Sequence, residues 1–318
     1  MTNFNFNTKP YYDCADCIDA AFYSILEQDI RPKFANKFNF NYIQSPNGSI
    51  LDTQIQTEYR KDNLLYNYSG LEFIEVYPSE IKIDLMEELL RANKILGVYF
   101  NNYYCCWSKY YKQLHRDHMI LIIGIDKNKQ LLHVYDKYLV NEPQVISYED
   151  FNLGARAFIY YKKKSDKDNI MPQDLFRHSY ELMTEAAEKD AVLDRKQKLD
   201  DFFKWIEQID FKTGNLKTID SSTFCLSMTY IWWSRLSYLD FLQWMNQFEA
   251  LEHLICDLKK CSDLWLLFRN NVYKSLLYQK NILSERIKML WPQIIDIESS
   301  CIDQIRNTVI KIDNERRI

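Results

Sequence analysis

HMILIIGID, at residues 118–126, and LLHVYD, at residues 131–136, are the two neighbouring stretches that decide the fold of this chain. Both are short apolar runs rich in residues that favour β-strands, and the polar DKNK at residues 126–129 is typical of a turn. We therefore predict an antiparallel hairpin, folded about residues 127–128, within a sheet.

The hairpin places two chemically active side chains, His118 and Asp136, near the same end of the predicted pair. An odd loop length pairs them directly, whereas an even loop length places His118 opposite Lys137. Asp136 can orient the imidazole of His118 only in the first case, or if the ladder contains a bulge. His118 is then a candidate general base and Asp136 its orienting acid. A structural histidine at a strand edge is the alternative.

The other histidines have weaker patterns. His115 lies in a polar connection without an acidic partner in view, and His133 should face the side opposite to Asp136. His178 and His253 fall on predicted helices, where we interpret them as structural or surface residues.

DCADCIDAAF, at residues 13–22, carries the candidate nucleophile. Cys17 lies at a predicted helix start that Asp16 can cap. The positive end of the helix dipole and the unpaired N–H groups stabilise the reactive thiolate there. Cys14, three residues earlier, is alternatively the nucleophile, a resolving thiol or a bystander. Both cysteines are equally compatible with small buried core residues.

A zinc site formed by cysteines is a further alternative, from Cys14, Cys17, Cys105 and Cys106. Neighbouring residues of a strand point to opposite faces, so Cys105 and Cys106 are poor joint ligands. The sequence therefore favours thiol chemistry over metal binding.

Composition excludes several classes of function. The net charge of −4 over 318 residues argues against a general nucleic-acid binder. The six glycines are not clustered, which argues against a phosphate-binding loop. Charged residues interrupt the most apolar stretches, and no leader pattern is present, so we expect no membrane segment and a cytoplasmic location. The eight cysteines should then be reduced.

A composition shift near residue 162 predicts two domains, residues 1–164 and 165–318. A charged, polar linker at residues 162–169 separates strand patterns from helical periodicity. The predicted strands are 73–77, 95–100, 119–125, 131–135 and 157–161. The predicted helices are 16–28, 83–93, 172–190, 192–209, 221–258, 262–287 and 292–313.

Several motifs resemble known families. The segment from Cys17 to Phe22 resembles the nucleophile helix of papain-like cysteine proteases, including the cysteine three residues upstream. His118 with its apolar strand, and the second strand ending in Asp136, resemble the bacteriocin-processing (C39) branch. The run from Gly97 to Tyr104 with Trp107, and the helical second half, are similar to the butirosin-biosynthesis H-like acyltransferases. The likeness covers roughly residues 10–161.

The resemblance implies an α+β fold, with a papain-like (C39-like) catalytic domain followed by an all-α helical domain. It implies a cysteine-dependent acyltransferase, an amide synthase of natural-product biosynthesis with Cys17, His118 and Asp136 as its triad. The acyl donor would be a thioester on the phosphopantetheine of an acyl or peptidyl carrier protein. The acceptor would be an amine or diamine, and no metal or other cofactor would be required.

One departure from the papain pattern concerns the oxyanion. Those proteases carry a glutamine six residues before the cysteine, and this chain has Tyr11 there, with Tyr12 beside it. Either a tyrosine hydroxyl replaces the glutamine or backbone N–H groups suffice. The departure weakens a protease assignment, but a cysteine peptidase or thioesterase stays an alternative, as does a non-catalytic papain-like binding domain.

Carrier proteins are acidic, so the transferase hypothesis expects a basic docking surface. Lys109, Lys112, His115 and Arg116 lie just before His118. A solvated run of charges is the alternative interpretation of this basic cluster.

Overall fold

In the computed structural model the chain is a mixed α+β protein, as predicted. The structure describes Cys17, Ile18, Ala20, Ala21, Asp29, 31–46, 50–57, 71–76, 83–92, 95–140, 142–163, 170–185, 187, 190–208, 211, 219, 222–279 and 288–316. These residues divide between two compact units. One comprises Met1–Ile30 and Asn63–Asn169, and the other comprises Arg31–Asp62 and Ile170–Ile318.

The described residues form eight strands and seven α-helices. The strands are β1 (Asn41–Ile43), β2 (Gln54–Gln56), β3 (Leu71–Val76), β4 (Ile95–Asn101), β5 (Asp117–Asp126), β6 (Leu131–Tyr135), β7 (Gln144–Ser147) and β8 (Ala155–Lys163). The helices are α1 (Ile83–Arg91), α2 (Tyr148–Gly154), α3 (Pro172–Glu185), α4 (Ala191–Glu207), α5 (Thr223–Met245), α6 (Glu252–Tyr278) and α7 (Leu290–Glu315). No helix of this described part is long and apolar enough to cross a membrane.

The first unit is built on one antiparallel sheet with the strand order β3-β8-β4-β5-β6-β7. Successive residues of a strand point to opposite faces, so the apolar runs fill two cores. Ile120 and Ile122 belong to one core, which α1 and α2 complete. Met119 and Leu121 belong to the other core, against which Cys17 packs. The central strands are therefore buried on both faces, which explains their continuous apolar sequence.

The hairpin of β5 and β6 differs from both predicted registers. The chain turns through residues 127–130, with Gln130 in the left-handed region (φ 54°). A bulge then shifts the register between Ile122 and Gly124, so that Leu121 lies opposite Tyr135. Continued in this register, the residue facing Asp136 is Ile120, and His118 lies two residues further along the same face. The bulge, and not the loop length, gives the two side chains a common face.

The observed division differs from the predicted domain boundary for the segment Arg31–Asp62, which belongs to the helical unit. The Phe38 ring is fully buried there, and the Phe38 carbonyl accepts a hydrogen bond from Arg195 (2.8 Å). The Asn39 carbonyl accepts another from Arg235, also 2.8 Å. Long-range contacts of this kind do not alter the local composition of the sequence. The composition shift near residue 162 therefore indicated only one of the places where the chain passes from one unit to the other.

The predicted helix 221–258 is also wrong, because α5 ends at Met245. The side chain of Asn246 accepts a hydrogen bond from the Leu251 N–H (2.6 Å), which closes a tight turn before α6. No glycine or proline marks this turn in the sequence. The predicted break between residues 258 and 262 lies inside α6.

Candidate active site around His118

His118 is the second residue of β5, where it lies opposite Phe100 of β4. Asp136 directly follows β6. Their side chains meet, with 2.8 Å between His118 Nε2 and Asp136 Oδ2. Both residues are buried, with 3% and 1% of their surface exposed. The structure thus brings together the predicted base and its orienting acid.

The Asp136 carboxylate is held by two further donors. The indole N–H of Trp107 donates to Oδ2 at 2.7 Å, and the backbone N–H of Leu139 donates to Oδ1 at 3.2 Å. Hydrogen bonds to an ionised acceptor are stronger than neutral ones, and a buried carboxylate needs them. These donors fix the orientation of the oxygen that receives His118.

Cys17 reaches the same imidazole. Its backbone is helical, its side chain is half-buried, and it is hydrogen-bonded to His118. Since Nε2 of His118 faces Asp136, Nδ1 is the ring nitrogen left to face Cys17. The three predicted residues Cys17, His118 and Asp136 therefore form one continuous hydrogen-bonded chain.

The charge of His118 follows from these neighbours. Burial alone would lower the pKa of the imidazole, because it disfavours the cation. The hydrogen bonds and charges of Asp136 and Cys17 outweigh burial and raise the pKa of His118 to about 10. The imidazole is therefore cationic at neutral pH, beside a sulfur whose ionised form is the nucleophile.

Trp107 is the site residue whose role the sequence did not reveal. It lies 29 residues before Asp136 in a turn-rich segment after β4. Its position depends on backbone hydrogen bonds such as Ser108 N to Cys105 O (2.9 Å). The only local signal was general, since a partly buried indole N–H usually requires an acceptor.

Several predicted residues lie outside the described part of the chain. These are Tyr11 and Tyr12 of the predicted oxyanion support, Asp16, and Cys14. Their roles stay predictions.

The competing cysteines in the described part have different surroundings. Cys105 is fully buried, and its burial, with the charges of Asp136 and Cys106, raises the pKa of its thiol well above the ordinary value. Cys106 is exposed, and its sulfur lies 4.0 Å from the carbonyl of Val145. Within the described residues, no group of three or more His, Cys, Asp or Glu side chains is arranged to hold a metal ion.

His115 makes different contacts from His118. Asn101 Nδ2 lies 2.9 Å from its Nδ1, and the ring stacks on Tyr103 with 4.3 Å between centroids. His133 lies on β6 opposite Val145 of β7. None of these contacts of His115 and His133 is with a carboxylate.

The basic cluster before His118 rests on tyrosine rings. Lys112 lies over Tyr104 (4.7 Å to the centroid) and pairs with Asp150 at 3.5 Å. Arg116 lies over Tyr110 at 4.8 Å.

Comparison with protein-family models and with curated proteins gives no match to this sequence. The chemical interpretation of the site therefore depends on its geometry. The site contains a thiol, a cationic imidazole and a hydrogen-bonded carboxylate, in that spatial order. These are the groups that nucleophilic catalysis through sulfur requires.

Proposed function

We propose that this protein is a cysteine-dependent acyltransferase that moves an acyl group from a carrier-protein thioester to an amine, on a papain-like scaffold. The observation that supports the proposal most is the hydrogen-bonded chain Cys17–His118–Asp136. The resemblance of residues 10–161 to carrier-dependent acyltransferases, and the tyrosine in place of glutamine at position 11, favour transfer to an amine over peptide hydrolysis.

In the proposed first half-reaction, the Cys17 thiolate attacks the carbonyl carbon of the donor thioester. The carbon–sulfur bond of the donor breaks, and the cationic His118 gives its proton to the leaving thiolate. An acyl-Cys17 intermediate and a neutral imidazole result. Exchange of one thioester for another is nearly neutral in free energy, so no further energy source is needed.

In the second half-reaction, the amine attacks the acyl-Cys17 carbonyl and His118 takes the amine proton. The bond from carbon to the Cys17 sulfur breaks, which releases the amide and restores the thiolate and imidazolium. Asp136 stabilises the cation each time it forms. Exclusion of water favours the amide over hydrolysis, and the burial of His118 is consistent with a dry site.

Intact-protein mass spectrometry tests the proposal. The protein is incubated with the N-acetylcysteamine thioester of hexanoic acid, and we expect one added acyl group on Cys17. Cys17→Ala should abolish the adduct, whereas Cys106→Ala, which removes an exposed thiol, should retain it. Addition of 1,3-diaminopropane should then discharge the intermediate to an amide.

The other outcomes separate the alternatives. Discharge to the free acid, with no acceleration by the amine, would identify a thioesterase or peptidase. The absence of any adduct, despite folded protein, would leave a non-catalytic binding domain.

A further inference from the structure

Trp107 and His118 bond to the same oxygen of Asp136. The indole N–H of Trp107 donates to Oδ2 at 2.7 Å, and Nε2 of His118 lies 2.8 Å from Oδ2. We propose that Trp107 is a positioning residue, whose N–H holds the negative charge on Asp136 and thereby keeps the shared proton on Nε2 of His118. This inference rests on the proposed function for its effect on the reaction, but not for the place of the proton.

The proton between Nε2 of His118 and Oδ2 of Asp136 has two places that it can occupy. On Nε2 it gives an imidazolium and a carboxylate, and on Oδ2 it gives a neutral imidazole and a carboxylic acid. The move from Nε2 to Oδ2 breaks an N–H bond, forms an O–H bond and leaves the net charge unchanged. Both residues are buried, and burial disfavours each of the two charges. The pair therefore stays ionic only where its surroundings favour the charges.

Trp107 supplies such a preference at the oxygen that would take the proton. A hydrogen bond to an ionised oxygen is about twice as strong as one to a neutral oxygen, so a donor at Oδ2 favours the carboxylate. The indole N–H is a donor only and does not titrate. The backbone N–H of Leu139 donates to the other oxygen, Oδ1, over a longer distance of 3.2 Å. Trp107 is thus the fixed donor that makes Oδ2 a weaker acceptor of the proton.

Glu298 of the helical unit shows a buried carboxylate that is held by cations. It accepts from the indole of Trp265 at 2.8 Å, but it also contacts Arg195 and Arg235, and these two guanidinium groups outweigh its burial. Asp136 contacts no lysine or arginine among the residues that the structure describes. Neutral N–H donors therefore matter more for the charge of Asp136 than for the charge of Glu298.

The place of this proton decides which form of His118 faces Cys17. An imidazolium stabilises the Cys17 thiolate and can give its Nδ1 proton to the leaving thiolate of the donor. A neutral imidazole that carries a proton on Nδ1 is a weaker acid and gives the thiolate less stabilisation. Trp107 should therefore promote the first half-reaction, acting through Asp136 and His118.

Spectroscopy of Trp107→Phe locates the proton without any acyl donor. The substitution retains an aromatic ring and removes the N–H. In ¹⁵N-histidine-labelled protein at pH 7, we expect Nε2 of His118 to be coupled to a directly bonded proton in the wild type and to lose this coupling in Trp107→Phe. The infrared spectrum of the variant should gain the C=O stretch of a protonated carboxylic acid. Trp291→Phe is the matched control, because the Trp291 indole has no acceptor among the described residues, and it should change neither signal.

Acylation of Cys17 by the hexanoyl thioester of N-acetylcysteamine measures the consequence for the reaction. Trp107→Phe should lower the rate about tenfold, and Trp291→Phe should leave it unchanged. Looser packing alone would slow acylation while the proton stays on Nε2, and that result would overturn the proposal. A Trp107→Phe variant with the wild-type coupling and rate would overturn it as well.

A measurement on the wild-type protein applies even if Trp107→Phe does not fold. Because the Trp107 indole proton lies against a charged oxygen, its NMR signal should appear downfield of the Trp291 indole proton. Equal positions of the two signals, or a wild-type Nε2 without a bonded proton, would contradict the proposal.

The two hypotheses can fail separately. If no donor acylates wild-type Cys17 but Trp107→Phe still moves the proton to Asp136, the proposed function is wrong and the role of Trp107 stands. If the donor acylates Cys17 and the proton stays on Nε2 in Trp107→Phe, the role assigned to Trp107 is wrong.

Discussion

The carboxylate of Asp136 takes part in three hydrogen bonds, with the side chains of His118 and Trp107 and the backbone N–H of Leu139, at a position with 1% exposure. The hydrogen bond with His118 could be predicted from the sequence, because an antiparallel hairpin brings the start of its first strand close to the end of its second. The Trp107 bond did not, since it depends on how a turn-rich segment folds back over 29 residues. The pairing of His118 with Asp136 was predictable from the sequence, and the Trp107 donor to Asp136 was not.

The cationic state of His118 should depend on the charge of Asp136. Asp136→Asn retains the shape of the side chain but removes the negative charge of Asp136, which acts together with Cys17 to raise the pKa of His118 from 6.5 to about 10. The pKa of His118 should therefore fall towards its ordinary value. Acylation of Cys17 needs the imidazolium, which is lost as the pH rises. In the variant, this alkaline loss of rate should therefore begin at a lower pH than in the wild-type protein.

The measurement is the rate of Cys17 acylation by the hexanoyl thioester between pH 6 and 10.5. The alkaline limb is the part of the pH–rate profile in which the rate falls as the pH rises. In Asp136→Asn we expect it to lie more than about one pH unit below its wild-type position. Asp126→Asn, at the other end of the same hairpin, should leave it in place. An alkaline limb that does not move in Asp136→Asn would contradict the assignment of Asp136.

At the scale of elements, the short helix α2 controls the packing of β4 beside His118. A Cβ atom added to Gly154 would lie 2.4 Å from the ring of Phe100, which faces His118 in the ladder. We did not predict α2. A usable signal was present, because Ser147 caps the helix by accepting from the Asp150 N–H at 3.0 Å. The longer strands were predicted correctly because their apolar runs are unambiguous, whereas the four-residue β7 carries too little pattern.

Gly154→Ala should displace Phe100 and, through it, the start of β5. We expect a loss of about 1–3 kcal/mol in the free energy of unfolding, from overpacking, and slower acylation of Cys17. Urea unfolding and the acylation rate measure the two effects. Gly124→Ala is the matched control, because its new Cβ would meet His133 at 3.6 Å, an ordinary contact. Equal losses in the two variants would show that the close approach to Phe100 has no consequence.

At the scale of the molecule, the helical unit encloses an ionic network. Glu298 of α7 is fully buried and contacts Arg195 of α4, Arg235 of α5 (2.7 Å) and Trp265 of α6 (2.8 Å). Helical periodicity predicted an all-α domain, but it could not predict this network. The partners are 33 to 103 residues apart, and only the packed bundle brings them together.

Removal of the Glu298 charge should destabilise this unit strongly. Burial would raise the pKa of Glu298, but Arg235 and Arg195 outweigh it and lower the pKa from 4.5 to about 2. The resulting stabilisation is present above about pH 4.5 and is lost as the pH falls through about 2, because the unfolded state binds the proton first. Glu298→Gln leaves two guanidinium groups unpaired and should cost about 3–5 kcal/mol at neutral pH.

Urea unfolding at pH 7 and at pH 3 tests both statements. Glu207→Gln is the control, since it removes an exposed pair with Lys288 and should cost less than about 1 kcal/mol. If Glu298→Gln is no more destabilising than Glu207→Gln at pH 7, the network contributes little to stability.

The hydrogen bond from Arg235 to the Asn39 carbonyl spans 196 residues, and this separation has a consequence for synthesis on the ribosome. At translation rates of 5–20 residues per second, roughly 10–40 s pass between the two residues. Throughout that interval the growing chain carries the aromatic side chains of Phe34, Phe38 and Phe40, which are buried only once the later helices exist. The nascent protein should therefore depend on chaperones that shield apolar segments, and its yield should fall when translation outpaces them.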